Sequence, residues 1–149
     1  MDVDDIRFRI AAARRILHRE GCDSNVGGHV SVRADDHDDA FWVTGFEYFD
    51  QTLPGGVCLM GFDLQPRIGE LKLSPAVNFH AAIYQRRPDV NAIVHLHSHY
   101  VSVLSSTGKE VGMYNVSSVL FHDERPPTST TAGSLTWPSS TRSATSGSC

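Results

Sequence analysis

The chain has 149 residues, 40% of them hydrophobic and 20% charged, and 13 Lys and Arg against 17 Asp and Glu give a formal net charge of −4. That is room for one ordinary domain and excludes a multidomain enzyme. The acidic balance argues against a nucleic-acid partner, which needs surplus cations, and without about eighteen consecutive apolar residues no segment is expected to span a membrane.

Residues 5–20 are predicted to form the first helix, with Ile6, Ile10, Ala13 and Ile16/Leu17 on its apolar stripe, Arg7, Arg14 and Arg15 off it, and Gly21 as its stop. A glycine turn, Asn25-Val26-Gly27-Gly28, leads into an alternating strand at 29–33. The polar stretch 34–39 predicts a hairpin to a second strand at 41–44, and a third is expected at 57–62 before turns at Pro66 and Gly69. Ser74-Pro75 is the clearest helix start, Ser74 as cap and Pro75 at the first helical position, in a helix ended by Pro88. A mostly apolar strand at 91–97, a short helix at 100–106 and a strand at 116–121 complete the pattern. Hairpin-length links between several strands predict an α/β domain with a largely antiparallel sheet.

Composition changes after Glu124. All seventeen acids precede that point, and residues 128–149 hold thirteen Ser or Thr with little apolar material beyond Leu135 and Trp137. Such a segment buries too little surface to offset its ordering entropy. Only Lys72 and Lys109 of the thirteen cations are lysines, the bias of a GC-rich gene, and an out-of-frame reading of one yields this mixture. Residues 125–149 are therefore expected to be a disordered or frameshifted tail, with a linker or phosphoacceptor segment as the alternative, and residues 1–124 an incomplete domain. Cys22, Cys58 and Cys149 form no CxxC pair, the start MDVDDIRFRI carries no signal-peptide core, and a cytoplasmic chain with reduced thiols is expected.

The chemistry concentrates in Val94-His95-Leu96-His97-Ser98-His99. In a strand, residues i and i+2 share a face, so His95 and His97 present two imidazoles side by side, a pattern suited to two ligands of a divalent ion. His99 is placed on the rim. A catalytic zinc normally takes three protein ligands, and His80, His122, Asp63, Asp123 and Glu124 are candidates to complete the set, His80 reading first as a core histidine. Gly27-Gly28-His29-Val30-Ser31 could bring backbone N–H groups near an anion, or be only a turn.

Taken in order, Gly27–Arg33, Phe41–Thr44, Leu73–Tyr84 and Arg87–His99 resemble the class II aldolase/adducin family over about residues 5–124. The resemblance implies a three-layer αβα sandwich, a bound divalent metal (usually zinc) that polarises a carbonyl, and homo-oligomers with sites at subunit borders. It implies a carbon–carbon lyase or epimerase acting on a small carbonyl or sugar-derived substrate, with His95 and His97 as two of three metal histidines and Gly28, His29, Ser31 and Thr44 in the substrate-binding loops. Three positions depart from the family pattern. Ala76 stands where the sugar-phosphate aldolases carry an acid/base Glu, His29 stands where they carry Asn, and the later strand that brings the third histidine is replaced by the Ser/Thr-rich tail. The first two point to a non-phosphorylated substrate or to decarboxylation. A catalytically silent adducin-like binding protein, or an inactive truncated remnant, is the alternative.

Overall fold

A computed structural model describes residues 4–23, 25–70, 74, 76–109, 112 and 116–119. The chain divides into two compact units, Met1–Val103 and Leu104–Cys149. The first carries a helix α1 (Ile6–Arg19), strands β1 (Gly28–Arg33), β2 (Ala40–Thr44), β3 (Val57–Gly61) and β4 (Pro66–Ile68), helix α2 (Val77–Arg86) and strand β5 (Ala92–Leu96). Helix α3 (His99–Ser106) follows, and a short helix α4 (Val116–Val119) lies in the second unit.

The ends of the helices follow from local chemistry. The Asp5 carboxylate accepts the Arg7 N–H at 2.9 Å and caps α1, while His18 and Arg19 sit favourably in its last turn. Gly21 then takes a left-handed φ of +68°, which glycine adopts without a Cβ penalty. Helix α2 begins two residues later than its capping serine suggests. Ser74 Oγ accepts the Ala76 N–H at 3.3 Å, but regular helix starts at Val77; Pro75 lies outside the described residues. At the other end Arg33 of β1 donates to the carbonyls of Tyr84 (2.8 Å), Arg87 (3.0 Å) and Val90 (3.0 Å), so carbonyls left over at the C-terminus of α2 are satisfied from the sheet.

The five strands form one antiparallel sheet in the order β4-β3-β2-β1-β5. Its pleat sorts side chains onto two faces. Phe41, Val43, Cys58 and Met60 pack with Val77, Ala81 and Tyr84 of α2, whereas Val30 and Val57 pack with Ile10 of α1, flanked by Val32 and Trp42. Each large apolar side chain fully enclosed here contributes about 1.5–3 kcal/mol. A helix on each face of a central sheet is the αβα arrangement expected from the sequence.

Three details differ from expectation. Arg14 is not on the solvent side of α1 but completely buried, because it stands four residues after Ile10 and three after Ala11 on the inward face. Pro66–Ile68 is a short exposed edge strand rather than a turn, tolerable for proline because an edge leaves one side unpaired. Residues 116–119 are helical and stand outside the five-stranded sheet of the described residues; Val116 is 87% exposed, so it has no buried strand face to fill. The rest of the strand expected at 116–121, and the tail at 125–149, lie outside the described residues.

Candidate metal and substrate site

Antiparallel pairing of β1 with β5 sets Gly28 against Leu96, His29 against His95 and Ser31 against Ile93. His29, Ser31 and His95 therefore share the face covered by α2. Gly28 makes the close approach possible. Its φ is +109°, and an added Cβ would collide with the His95 carbonyl oxygen while lying 3.2 Å from the Phe49 ring.

Four imidazoles meet at this edge. His95 Nε2 and His97 Nε2 are 2.8 Å apart, one donating to the other, with the rings nearly perpendicular. His29 stacks on His95 with 5.7 Å between centroids and 14° between planes, and His80 of α2 stands edge-on to His29 at 5.6 Å. Phe79 packs against both His80 and His95. His97 is exposed and His95 half-buried, while His29 and His80 are enclosed. Burial pushes His29 down to about 4, with the His95, Arg14 and His97 charges adding to it, and burial, followed by the charges of His29 and His95, brings His80 to about 4 as well. Burial, then His97, lowers His95. All three are neutral at pH 7, the state in which an imidazole binds metal.

Behind the pair, Ser31 Oγ lies 2.7 Å from His80 Nδ1 and 2.8 Å from the Tyr84 hydroxyl, all three side chains enclosed. Among the described residues, neither ring nitrogen of His29, nor Nε2 of His80, has a hydrogen-bond partner. Tyr84 is the member of this group that the sequence did not single out for the site, and His80, a candidate third ligand that read first as a core histidine, is enclosed behind the pair. Their signal is there: His80 and Tyr84 stand four apart on the inward face of α2, facing Ser31 on β1.

Thr44 is elsewhere. It projects to the α1 face, where it accepts from Arg14 Nη1. Arg14 Nη1 also donates to the Gly45 carbonyl at 3.1 Å and Nη2 to the Glu47 carbonyl at 2.7 Å, with the guanidinium 3.9 Å above the Phe49 ring. Asp63 is also remote, bound to Arg67 near the β4 edge. His99 begins α3, exposed and against Tyr100; His122, Asp123 and Glu124 lie outside the described residues.

Two ring nitrogens bound tetrahedrally to zinc at about 2.0–2.1 Å would stand about 3.3 Å apart. The His95 and His97 nitrogens need open only by about half an ångström to reach that spacing, so the pair fits two ligand positions. Among the described residues no group of three or more His, Cys, Asp or Glu is set to hold a metal. No helix of the described residues is long and apolar enough to cross a membrane.

Comparisons with known proteins agree with this architecture. The family described as Class II Aldolase and Adducin N-terminal domain matches residues 8–138. A 5-deoxy-D-ribulose 1-phosphate aldolase of Bacillus thuringiensis serovar kurstaki is 31% identical over 106 residues, covering 70% of this chain and 49% of that protein. Decarboxylase NovR of Streptomyces niveus is 29% identical over 110 residues, 71% of this chain and 41% of its own length. Among solved structures, L-fuculose 1-phosphate aldolase from Glaciozyma antarctica superposes with a TM-score of 0.72 at 31% identity, over 78% of this chain and 49% of that one. The chain thus spans about half the length of these relatives. With helices on both sheet faces and a histidine pair at the sheet edge, the match fixes kinship: the chain belongs to the class II aldolase and adducin family.

Proposed function

We propose that the protein is a metal-dependent lyase or epimerase that makes, breaks or inverts bonds next to the carbonyl of a small hydroxycarbonyl or sugar-derived substrate. The observation that carries this reading is the convergence of His95 Nε2 and His97 Nε2 at an accessible edge, where burial lowers the His95 pKa. A divalent cation, zinc in our proposal, would polarise the substrate carbonyl there. Gly28 and His29 lie against this pair and are proposed to face the substrate; Ser31 supports from behind, and Thr44 acts at a distance by holding Arg14. The kinship with sugar-phosphate aldolases and with a decarboxylase supports a carbonyl substrate without fixing whether it is phosphorylated. His29, neutral and enclosed, offers no cation for a phosphate, which favours a non-phosphorylated one. A homo-oligomer in the cytoplasm, with residues 1–124 as the family domain and 125–149 as a separate tail, completes the proposal.

Ala76 favours a second reading. It caps α2 with a methyl group, where the resemblance implies a Glu that moves a proton, and such a group typically supplies about 10²–10⁴-fold. A silent, adducin-like binding protein would tolerate that loss. Zinc titration separates the two. We expect weak, saturable binding to the wild type, since two ligands hold less tightly than three, and its loss in His97→Ala. Binding that is indifferent to His97→Ala, or absent altogether, overturns the metal reading.

A further inference from the structure

We propose that His80 is a positioning residue: through a buried chain running from Tyr84 by way of Ser31, it fixes the tautomer and orientation of His29 beside the His95–His97 pair. Its bearing on catalysis rests on the metal reading above; the chain of hydrogen bonds does not.

The hydrogens available to these groups set the direction of the chain. Ser31 Oγ has one hydrogen and two neighbours, His80 Nδ1 at 2.7 Å and the Tyr84 hydroxyl at 2.8 Å. Burial raises the Tyr84 pKa and keeps the hydroxyl protonated, so it too has one hydrogen to place. Were Ser31 to donate to Tyr84, the Tyr84 hydrogen would lose Ser31 as its acceptor, and His80 Nε2 would be left as an unpaired acceptor. In the opposite direction Tyr84 donates to Ser31 and Ser31 donates to His80 Nδ1, so every hydrogen but one is used. His80 then carries its own proton on Nε2.

That N–H is enclosed and has no hydrogen-bond partner among the described residues, and the two nitrogens of the enclosed His29 ring have none there either. The rings stand edge to face at 5.6 Å. One offers a donor and the other needs one, and a small ring rotation or a single bridging water joins them. The His29 nitrogen facing His80 is then the acceptor, and its second nitrogen carries the hydrogen. A residue next to the metal pair thus becomes a neutral N–H donor of fixed identity, suited to a carbonyl or hydroxyl oxygen of substrate.

Long-range 1H–15N correlation spectra of the histidine rings at neutral pH test this on the whole chain. We expect His80 protonated on Nε2 and His29 in one tautomer. Ser31→Ala should return His80 to a tautomer mixture and move the His29 nitrogens with it, and Ser31→Thr, which keeps the hydroxyl, should restore the wild-type pattern. If Ser31→Ala does not fold, Tyr84→Phe should still displace both rings' signals. His80 protonated on Nδ1 in the wild type, or His29 signals unmoved when those of His80 move, overturns the proposal. Zinc added to the same samples keeps the two readings apart: signals of His95 and His97 that ignore zinc sink the metal reading and leave the tautomer result standing.

Discussion

On the face covered by α1, Arg14 carries a full charge into the interior and finds the oxygens of Thr44, Gly45 and Glu47 there; on the face covered by α2, His29 is enclosed without charge and finds no hydrogen-bond partner among the described residues. Both are buried polar side chains on opposite sides of one sheet. Arg14 is stabilised where it lies, and even so burial brings its pKa to about 10, with Glu47 and Asp23 opposing the shift. Enclosed nitrogens without partners cost stability. The α1 face is organised to hold the fold, and the α2 edge keeps its bonding capacity for something else.

Breaking the satisfied side should cost most. Arg14→Met leaves three oxygens enclosed without a donor and should lower unfolding free energy by about 3–5 kcal/mol, read from urea denaturation. Arg14→Lys should recover little, since an ammonium cannot span the same fork. A loss below about 1 kcal/mol would mean water replaces the guanidinium.

The next effect sharpens the unsatisfied side. His80 titrates near 6.5 when unfolded and about 4 when folded, so between those values the unfolded state binds more protons and stability falls as pH falls. The drop for this residue should approach about 3 kcal/mol between pH 6.5 and 4 in metal-free protein. His80→Gln, which does not titrate, should flatten that part of the profile; an unchanged slope would assign the loss to other groups.

Smaller still is Gly28→Ala. Strain at φ +109° and the collision with the His95 carbonyl should cost about 1–3 kcal/mol, whereas Gly21→Ala, also left-handed but with open space, should cost about 1 kcal/mol. Equal melting shifts for the two would remove the close strand approach as a constraint. His97→Ala, at an exposed position, should change stability by no more than about 0.5 kcal/mol while abolishing zinc binding.

Much of this was legible in the sequence, and the reasons are specific. Alternation over Val30–Arg33 and Phe41–Thr44, and the HxH spacing, reported the pleat directly. Arg14 was misplaced because its charge outweighed its spacing, although Ile10 and Arg14 stand one helical turn apart; only the loop carbonyls at Gly45 and Glu47, distant in sequence, make its burial tolerable. Thr44 failed to join the site for a related reason: adjacency to a strand says nothing about which face the last residue takes until the register is known. Ser31 lies on β1 while His80 and Tyr84 lie on α2, and their meeting depends on α2 packing across β1, which no local pattern encodes. The short segment at 116–119 is helical despite its two valines, and Val116 is exposed.

The pairing of β1 with β5 has one more consequence. Side chains on a strand alternate, so sliding β5 by a single residue would turn His95 away from His29 and, in the same movement, lift Ile93 off the core beneath α2. The histidine edge therefore cannot be assembled wrongly in an otherwise well-packed molecule: the error that disarms it also unseats an aliphatic anchor. An insertion or deletion within Ala92–Leu96, unlike one absorbed by the connection before it, turns every later side chain of the strand to the other face, and chains carrying one should be lost to aggregation or proteolysis before they are ever counted as inactive.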